Sequence, residues 1–303
     1  MIAVDRLIKR FGAVAAVDGV SFAVARGEIF GLLGPDGAGK TTLFRILAGV
    51  MAPTAGTARV AGADIRTETE RVRPRIGYMP QAFALYGDLT VSENLRFVAE
   101  VFGVPRVQIG PRLARLLQVS RLERFTLRRA DHLSGGMKQK LALAATLLHE
   151  PDVLLLDEPT TGVDPLSRRE FWQILQALNR EGKTIVVATP YMDEAERCAR
   201  VALMHRGRVL SLDAPGALRA RFPDLILEII ASPRREALAA VRRLAGVQQA
   251  TVFGEALHVV VPPGTPERQI ADALEAAGIR VATARRIEPS LEDVFVFLLG
   301  RSR

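Results

Sequence analysis

Gly34, Pro35, Asp36, Gly37, Ala38, Gly39, Lys40 and Thr41 fit the pattern G-x-x-x-x-G-K-[ST]. Glycines at this spacing let successive backbone N–H groups point into one concavity where β- and γ-phosphates can lie. The lysine then reaches those phosphates, and the threonine hydroxyl serves a Mg2+ ion. Two further segments follow: Leu133, Ser134, Gly135, Gly136 and Met137, and then the apolar run Val153 to Leu156 closing on Asp157 and Glu158. A hydrophobic strand ending in two carboxylates presents them at the edge where open α/β sheets take ligands. Neighbouring strand residues point opposite ways, so the pair can divide the labour. Asp157 suits a Mg2+ ion, held directly or through water, and Glu158 suits polarisation of a water that attacks a γ-phosphate. A bare glycine motif is also what a simple turn between strand and helix would give. The three segments together, in this order, imply ATP.

Those residues need a strand, a glycine loop and a helix to hold them, and the sequence supplies each. Glu28 to Leu33 reads as a short buried strand, and Thr42 to Ala48 places Leu43, Ile46 and Leu47 on one helical face. The N-terminus of that helix adds its partial positive charge to an anion site. Residues 1 to about 30 alternate as strands, and 56–79 is a mixed, strand-rich segment. Residues 85–150 then carry helical spacing with almost no strand signal, which predicts a helical insertion whose last helix opens at Ser134. Continuous apolar runs at 153–156 and 184–188 predict parallel strands buried on both faces, and strands at 201–204 and 208–212 finish this part. Beyond Asp213 the composition shifts. Strand 225–230, helix 234–244, strands 247–252 and 256–261, helix 266–277 and strand 279–286 follow in the βαββαβ order of a ferredoxin-like domain. A last helix, 291–299, is capped by Ser290.

At 303 residues the chain has room for two domains, and 49% hydrophobic with 24% charged residues describes an ordinary globular protein. No apolar run approaches the ~20 residues needed to span a bilayer. The N-terminus begins an alternating strand without an apolar core and small-residue cleavage site, so no secretory signal is expected. Cys198, the one cysteine, excludes an internal disulfide and fits a reducing compartment; it is read as a small packed residue on a helix after Glu196 and Arg197. The net charge of +8 tolerates acidic partners or anionic headgroups. Nucleic acid is not an expected partner, because the arginines are spread along the chain and aromatics make up only 6%.

At this point the motifs resemble the nucleotide-binding subunits of ABC transporters, the Leu133 to Met137 segment being similar to that family's signature. The resemblance runs from Ile2 to about Leu218. It implies the fold of a P-loop NTPase: an α/β, RecA-like core with an antiparallel β subdomain and a helical insertion within 1–218, followed by a small α+β accessory or regulatory domain at 219–303. It implies ATP and Mg2+ as ligands, with Gly34 to Thr42 on the phosphates, Thr41, Gln81 and Asp157 on the metal, and Glu158 and Gln81 catalytic. Two nucleotide domains, in a homodimer or a heterodimer, would pair head to tail, so Ser134, Gly135, Gly136 and Met137 of one chain face the ATP of the other. A helix opening at Ser134 does present unpaired N–H groups and a dipole to an anion. The resemblance further implies that Phe11 stacks on adenine, with a buried aromatic as the alternative, and that Asp164 lies in the loop joining the two sites. Gln81 would link Mg2+ and water to a transmembrane permease, and Gln81 to Leu89, with Phe83, Leu85 and Tyr86, is the candidate contact surface; loop packing is its plainer reading. Such a subunit sits peripherally on the cytoplasmic face of the inner (plasma) membrane.

Met137 replaces the commoner Gln of the signature. With the C-terminal domain and the run Pro289, Ser290, Leu291, Glu292, Asp293, Val294, Phe295, this resembles subunits serving ABC-2-type exporters of drugs, lipids or polysaccharides. Two other classes stand beside it: a regulatory module acting by ATP occupancy, and a soluble ABC ATPase working on ribosomes or DNA. The second would carry two fused nucleotide domains or a long coiled-coil arm. Asp36 stands where the family usually has Asn, placing a carboxylate near the phosphates. Thr189 and Pro190 stand where it has Thr-His. Proline carries no side-chain donor and no N–H, and losing one donor to transition-state charge costs about 3 kcal/mol, or ~10²–10³ in rate. The expectation is good ATP binding with slow hydrolysis unless a partner compensates.

Overall fold

A computed structural model describes residues 1–301. Alternation builds the first layer: β1 (Ile2–Phe11) buries Ile2, Val4 and Leu7 and turns Ala3, Asp5 and Arg6 outward, and β2 (Val14–Val24) buries Val20, Phe22 and Val24 in the same way. β3 (Ile29–Leu33) is buried at every position and runs through the glycine loop into α1 (Lys40–Leu47). β4 (Ala55–Val60) and β5 (Ala63–Asp64) return to the first sheet, whose order is β2-β1-β4-β5. A single helical turn, α2 (Thr69–Val72), interrupts the segment expected to be strand-rich, before β6 (Ile76–Met79).

The insertion consists of α3 (Val91–Val101), α4 (Arg106–Ser120) and α5 (Gly135–Leu147). Thr90 and Glu93 close a reciprocal cap on α3, and Ser134 caps α5. β7 (Val153–Asp157), α6 (Pro165–Arg180), β8 (Thr184–Thr189), α7 (Met192–Ala195), β9 (Arg200–His205) and β10 (Arg208–Asp213) complete this part. Cys198 lies beyond α7, which ends at Ala195, so the expected helix around it is shorter than its spacing implied. The thiol is buried, and burial pushes its pKa up beyond the range of a reactive cysteine.

The second sheet has the order β10-β9-β3-β8-β7-β6, parallel from β9 to β6. Alternate residues of its central strands, Phe30, Leu32, Val153, Leu155, Val186 and Ala188, share one core with α1 and the antiparallel sheet. Their neighbours Leu154, Leu156, Ile185 and Val187 are buried too, as strands covered on both faces must be. α1 is too short to be stable alone. It persists because Leu43, Phe44, Ile46 and Leu47 are all buried, at about 1.5–3 kcal/mol each. The glycine loop follows β3, the two carboxylates end β7, and β8 lies between them, so all three strand ends meet at one sheet edge.

A second compact unit starts at Asp213, ahead of the boundary expected at Leu218. The residues in between enter α8 (Pro215–Ala220), which packs against the terminal helix of the same unit. Then come β11 (Leu225–Ser232), α9 (Arg234–Val241), β12 (Gln249–Phe253), β13 (Ala256–Val261), α10 (Glu267–Ala276), β14 (Arg280–Ile287) and α11 (Leu291–Arg301). The sheet is antiparallel with order β12-β13-β11-β14, the ferredoxin-like arrangement. Leu227, Ile229, Val259, Val261, Ile270 and Leu274 are among its own core residues.

Candidate nucleotide site

The glycine loop is shaped by backbone that only glycine adopts easily. Gly39 has φ of 102°, and a Cβ there would stand 2.1 Å from Ala16 O; a Cβ on Gly34 would stand 2.3 Å from Met204 O. The loop delivers Lys40 to the first turn of α1. Its Nζ donates to Gly34 O at 2.8 Å and Pro35 O at 3.1 Å and pairs with Glu158 Oε1 at 3.0 Å, the two side chains being 4% and 6% exposed. Thr41 Oγ1 donates to Asp157 Oδ1 at 3.2 Å, and Tyr78 OH to Asp157 Oδ2 at 3.4 Å. Gln81 Nε2 donates to Glu158 Oε2 at 3.0 Å, and Thr161 Oγ1 to the same oxygen at 3.3 Å. Each of Lys40 and Thr41 thus meets one carboxylate of the pair.

Lys40, Thr41, Gln81 and Glu158 line a cleft of about 400 Å³ together with Phe11, Asp36, Gly37, Ala38 and Thr42; Asp157, Tyr78 and Thr161 touch these side chains or each other without lining it. Phe11 is 49% exposed on its wall, with Lys9 Nζ 5.2 Å from the ring centroid, which corrects the buried-aromatic alternative. Asp36 is exposed at the rim. Asp157 is wholly buried. Burial pushes its pKa above the usual carboxylate range and the Glu158 charge adds to the push, while the Thr41 hydrogen bond and the Lys40 charge oppose it. A buried carboxylate beside a threonine hydroxyl, with a glutamine close to the neighbouring carboxylate, is the kind of oxygen-donor set that would suit a hard cation such as Mg2+.

Ser134, Gly135, Gly136, Met137 and Asp164 do not line that cleft; they meet elsewhere in the same unit. Ser134 and Gly135 are exposed, Ser134 Oγ accepting from Met137 N at 3.4 Å. Gly136 is buried because a Cβ there would lie 2.5 Å from Ser167 Cβ on α6, so this glycine lets two helices approach. Asp164 caps α6, and the hydrogen bond from Ser167 N at 2.9 Å helps to hold its carboxyl below the usual range. Thr189 is buried at the end of β8, and its carbonyl accepts from Gly34 N at 3.3 Å. Pro190 adds no donor. The Tyr191 ring lies 4.2 Å from the Arg168 guanidinium. Sequence reasoning missed Tyr78 and Thr161, both of which touch the carboxylate pair. Thr161 carried a signal, a hydroxyl three residues after Glu158; Tyr78 comes in only through the pairing of β6 with β7.

Residues 17–161, a span holding the loop, the Ser134 cap and both carboxylates, match the family described as ABC transporter. Nod factor export ATP-binding protein I of Paraburkholderia xenovorans is 41% identical over 299 residues, 98% of this chain and 96% of that protein. The chain belongs to the ABC transporter ATP-binding family. The probable multidrug ABC transporter ATP-binding protein YbhF of Escherichia coli is 47% identical over 221 residues, 73% of this chain. This ABC chain spans only 38% of that relative's length. Among solved structures, a dimeric ATP-binding cassette in a post-hydrolysis state with ADP and Pi aligns with a TM-score of 0.65 and 27% identity, covering 71% of this chain and 98% of that one. The α/β architecture around the cleft is accordingly that of an ABC ATPase cassette.

Proposed function

We propose that this ABC subunit binds Mg-ATP in the cleft, hydrolyses it with Glu158 as the base, and energises an ABC-2-type membrane exporter of drugs, lipids or polysaccharides. The observation that carries the reading is that Lys40 and Thr41, both lining one cleft, meet Glu158 and the buried Asp157 respectively. Phosphate oxygens entering beside Lys40 compete for its ammonium and loosen the pair with Glu158, leaving that carboxylate to orient and polarise water. Gln81 and Thr161, both bonded to Glu158 Oε2, keep it aimed. Thr41, Asp157 and Gln81 would be the oxygen donors that hold Mg2+, whose charge would offset that of the phosphate oxygens. Phe11 offers a face to the adenine.

Head-to-tail pairing with a second nucleotide domain, in a homodimer or a heterodimer, would bring Ser134, Gly135 and the Asp164 loop to the other chain's ATP. The exposure of Ser134 and Gly135, away from their own cleft, supports this. A permease is the membrane partner, reached through the segment 81–89. Phe83 and Leu85, with Val98 and Phe102, line an apolar groove of about 130 Å³, which favours docking over plain loop packing. No described helix is long and apolar enough to cross a membrane, and attachment at the cytoplasmic face through that permease fits. The second unit is read as accessory or regulatory. Pro190 is the one observation that favours the other reading, a subunit acting by ATP occupancy.

Mg-ATP turnover by the purified chain, beside Glu158→Gln as the zero-rate control and with nucleotide binding measured separately, decides between the two. The expected result is slow turnover, ~10²–10³ below that of a site with a full set of donors, and absent from Glu158→Gln. Binding with no Glu158-dependent turnover would support occupancy.

A further inference from the structure

Glu194, on α7, is wholly buried and lies outside the cleft. A buried carboxylate is unfavourable unless its oxygens are paired, and the partners of this one are informative. Oε1 accepts from Thr160 Oγ1, and Oε2 accepts from Thr189 Oγ1 at 2.8 Å. Thr189 in turn accepts at Oγ1 from Tyr191 N at 3.0 Å and at its carbonyl from Gly34 N at 3.3 Å. Thr160 stands two residues after Glu158, whose backbone adopts φ of 50° and whose N–H donates to Ala188 O at 2.9 Å. One carboxylate therefore spans from the phosphate loop and the end of β8 to the turn that aims the catalytic glutamate.

We propose that Glu194 is a positioning residue for ATP hydrolysis, bracing the Thr189 to Tyr191 segment against the Glu158 turn where Pro190 supplies no side chain to do so. The inference rests on the hydrolytic reading above and adds a residue to it. A branch runs to α6. Arg168 Nε lies 3.6 Å from Glu194 Oε1, and this buried N–H has no hydrogen-bond partner. A shift of α6 by less than about 1 Å would complete that bond. Because Asp164 caps the start of α6, contact of a second chain with the Asp164 loop has a direct mechanical route to Glu158.

The test uses the full chain with Glu194→Met, close in volume and apolar, and Glu194→Gln, which keeps an acceptor for Thr160 and a polar partner for Thr189. Displacing a catalytic group by about 1 Å costs on the order of 10² in rate, so Glu194→Met is expected to lower kcat at least tenfold. KM and the Kd for Mg-ADP should stay within about twofold, and Glu194→Gln should recover to within about threefold of the parent. Hydrogen exchange in residues 158–163 and 189–192 should speed up in Glu194→Met and revert in Glu194→Gln, with the melting temperature of the first unit held. Unchanged kcat and unchanged exchange in Glu194→Met would overturn the proposal. So would a joint loss of Kd, kcat and melting temperature that Glu194→Gln does not rescue, which marks a plain folding role. If the parent turns over no faster than Glu158→Gln, the hydrolytic reading fails separately, and the exchange comparison alone decides whether Glu194 braces the two segments.

Discussion

Pro190 is the residue at which this chain departs furthest from the chemistry its neighbours are arranged for. Lys40, Thr41, Gln81 and Thr161 all direct polar groups at the carboxylate pair, whereas β8, whose last residue Thr189 touches the phosphate loop, is followed by a residue that can donate nothing. Restoring a donor with Pro190→His should raise turnover at least tenfold, with about 10²–10³ as the full value of one transition-state contact. The Kd for Mg-ATP should change by less than about threefold, because Pro190 is not among the cleft residues. Single-turnover and binding assays on both proteins check this, and no rise in rate at unchanged Kd would remove the missing histidine as the limiting defect. The phosphate-loop and carboxylate residues were legible in the sequence because phosphate chemistry demands fixed residue types at fixed spacing. Thr160, Arg168 and Glu194 were not, since hydroxyls, arginines and glutamates are common and these three meet only when β7, α6 and α7 are brought together.

At the scale of elements, α11 shows how one residue can serve two connections. Ser290 N donates to Asp293 Oδ2 at 2.9 Å while Asp293 N donates to Ser290 Oγ at 3.1 Å, a reciprocal cap at the start of the helix. The other oxygen, Asp293 Oδ1, shares a hydrogen bond of 2.7 Å with His258 Nδ1 on β13. Burial pushes the Asp293 carboxyl up, but the bonds from His258 and Ser290 outweigh it and hold the pKa below the ordinary range. A depressed carboxyl contributes stability that is fully present above its unfolded pKa and is lost as the pH falls through the folded one. Asp293→Ala removes a cap worth about 1 kcal/mol and strands a buried imidazole at a further 1–3 kcal/mol or so. It should therefore destabilise the second unit by about 2–4 kcal/mol at neutral pH and flatten its acid dependence. The lone tryptophan, Trp172, lies in the first unit, so hydrogen exchange across residues 225–301 is the measurement that follows this. The βαββαβ order was readable because strand and helix periods alternate cleanly there. α6 passed unread although Phe171, Leu175 and Leu178 repeat at helical spacing, because Pro165 and the polar run after it look like a continuing loop.

Across the whole molecule, the described residues that line the cleft belong to the first unit, and so do the exposed Ser134 and Gly135 that the proposed head-to-tail pairing would use. The second unit has a core of its own. Its composition shift was visible in the sequence, but its start was not, because nothing local in Pro215 to Ala220 reveals that α8 packs on α11 and that Phe222 meets Phe297 at 4.8 Å. Nucleotide binding and pairing should therefore separate by mutation without reference to the second unit. In a Glu158→Gln background, which should hold ATP uncleaved if Glu158 is the base, a chain ending at Asp213 keeps β10 whole and should bind Mg-ATP within about threefold of full length. It should also still shift from monomer to dimer on adding Mg-ATP in sedimentation velocity. Ser134→Arg in either length should abolish that shift and leave Kd unchanged, because Ser134 does not touch its own chain's cleft and would meet phosphate only across the dimer. A truncated chain that binds ATP but no longer pairs would instead assign dimer formation to residues after Asp213, and a loss of ATP affinity in Ser134→Arg would mean that the signature serves the cleft of its own chain.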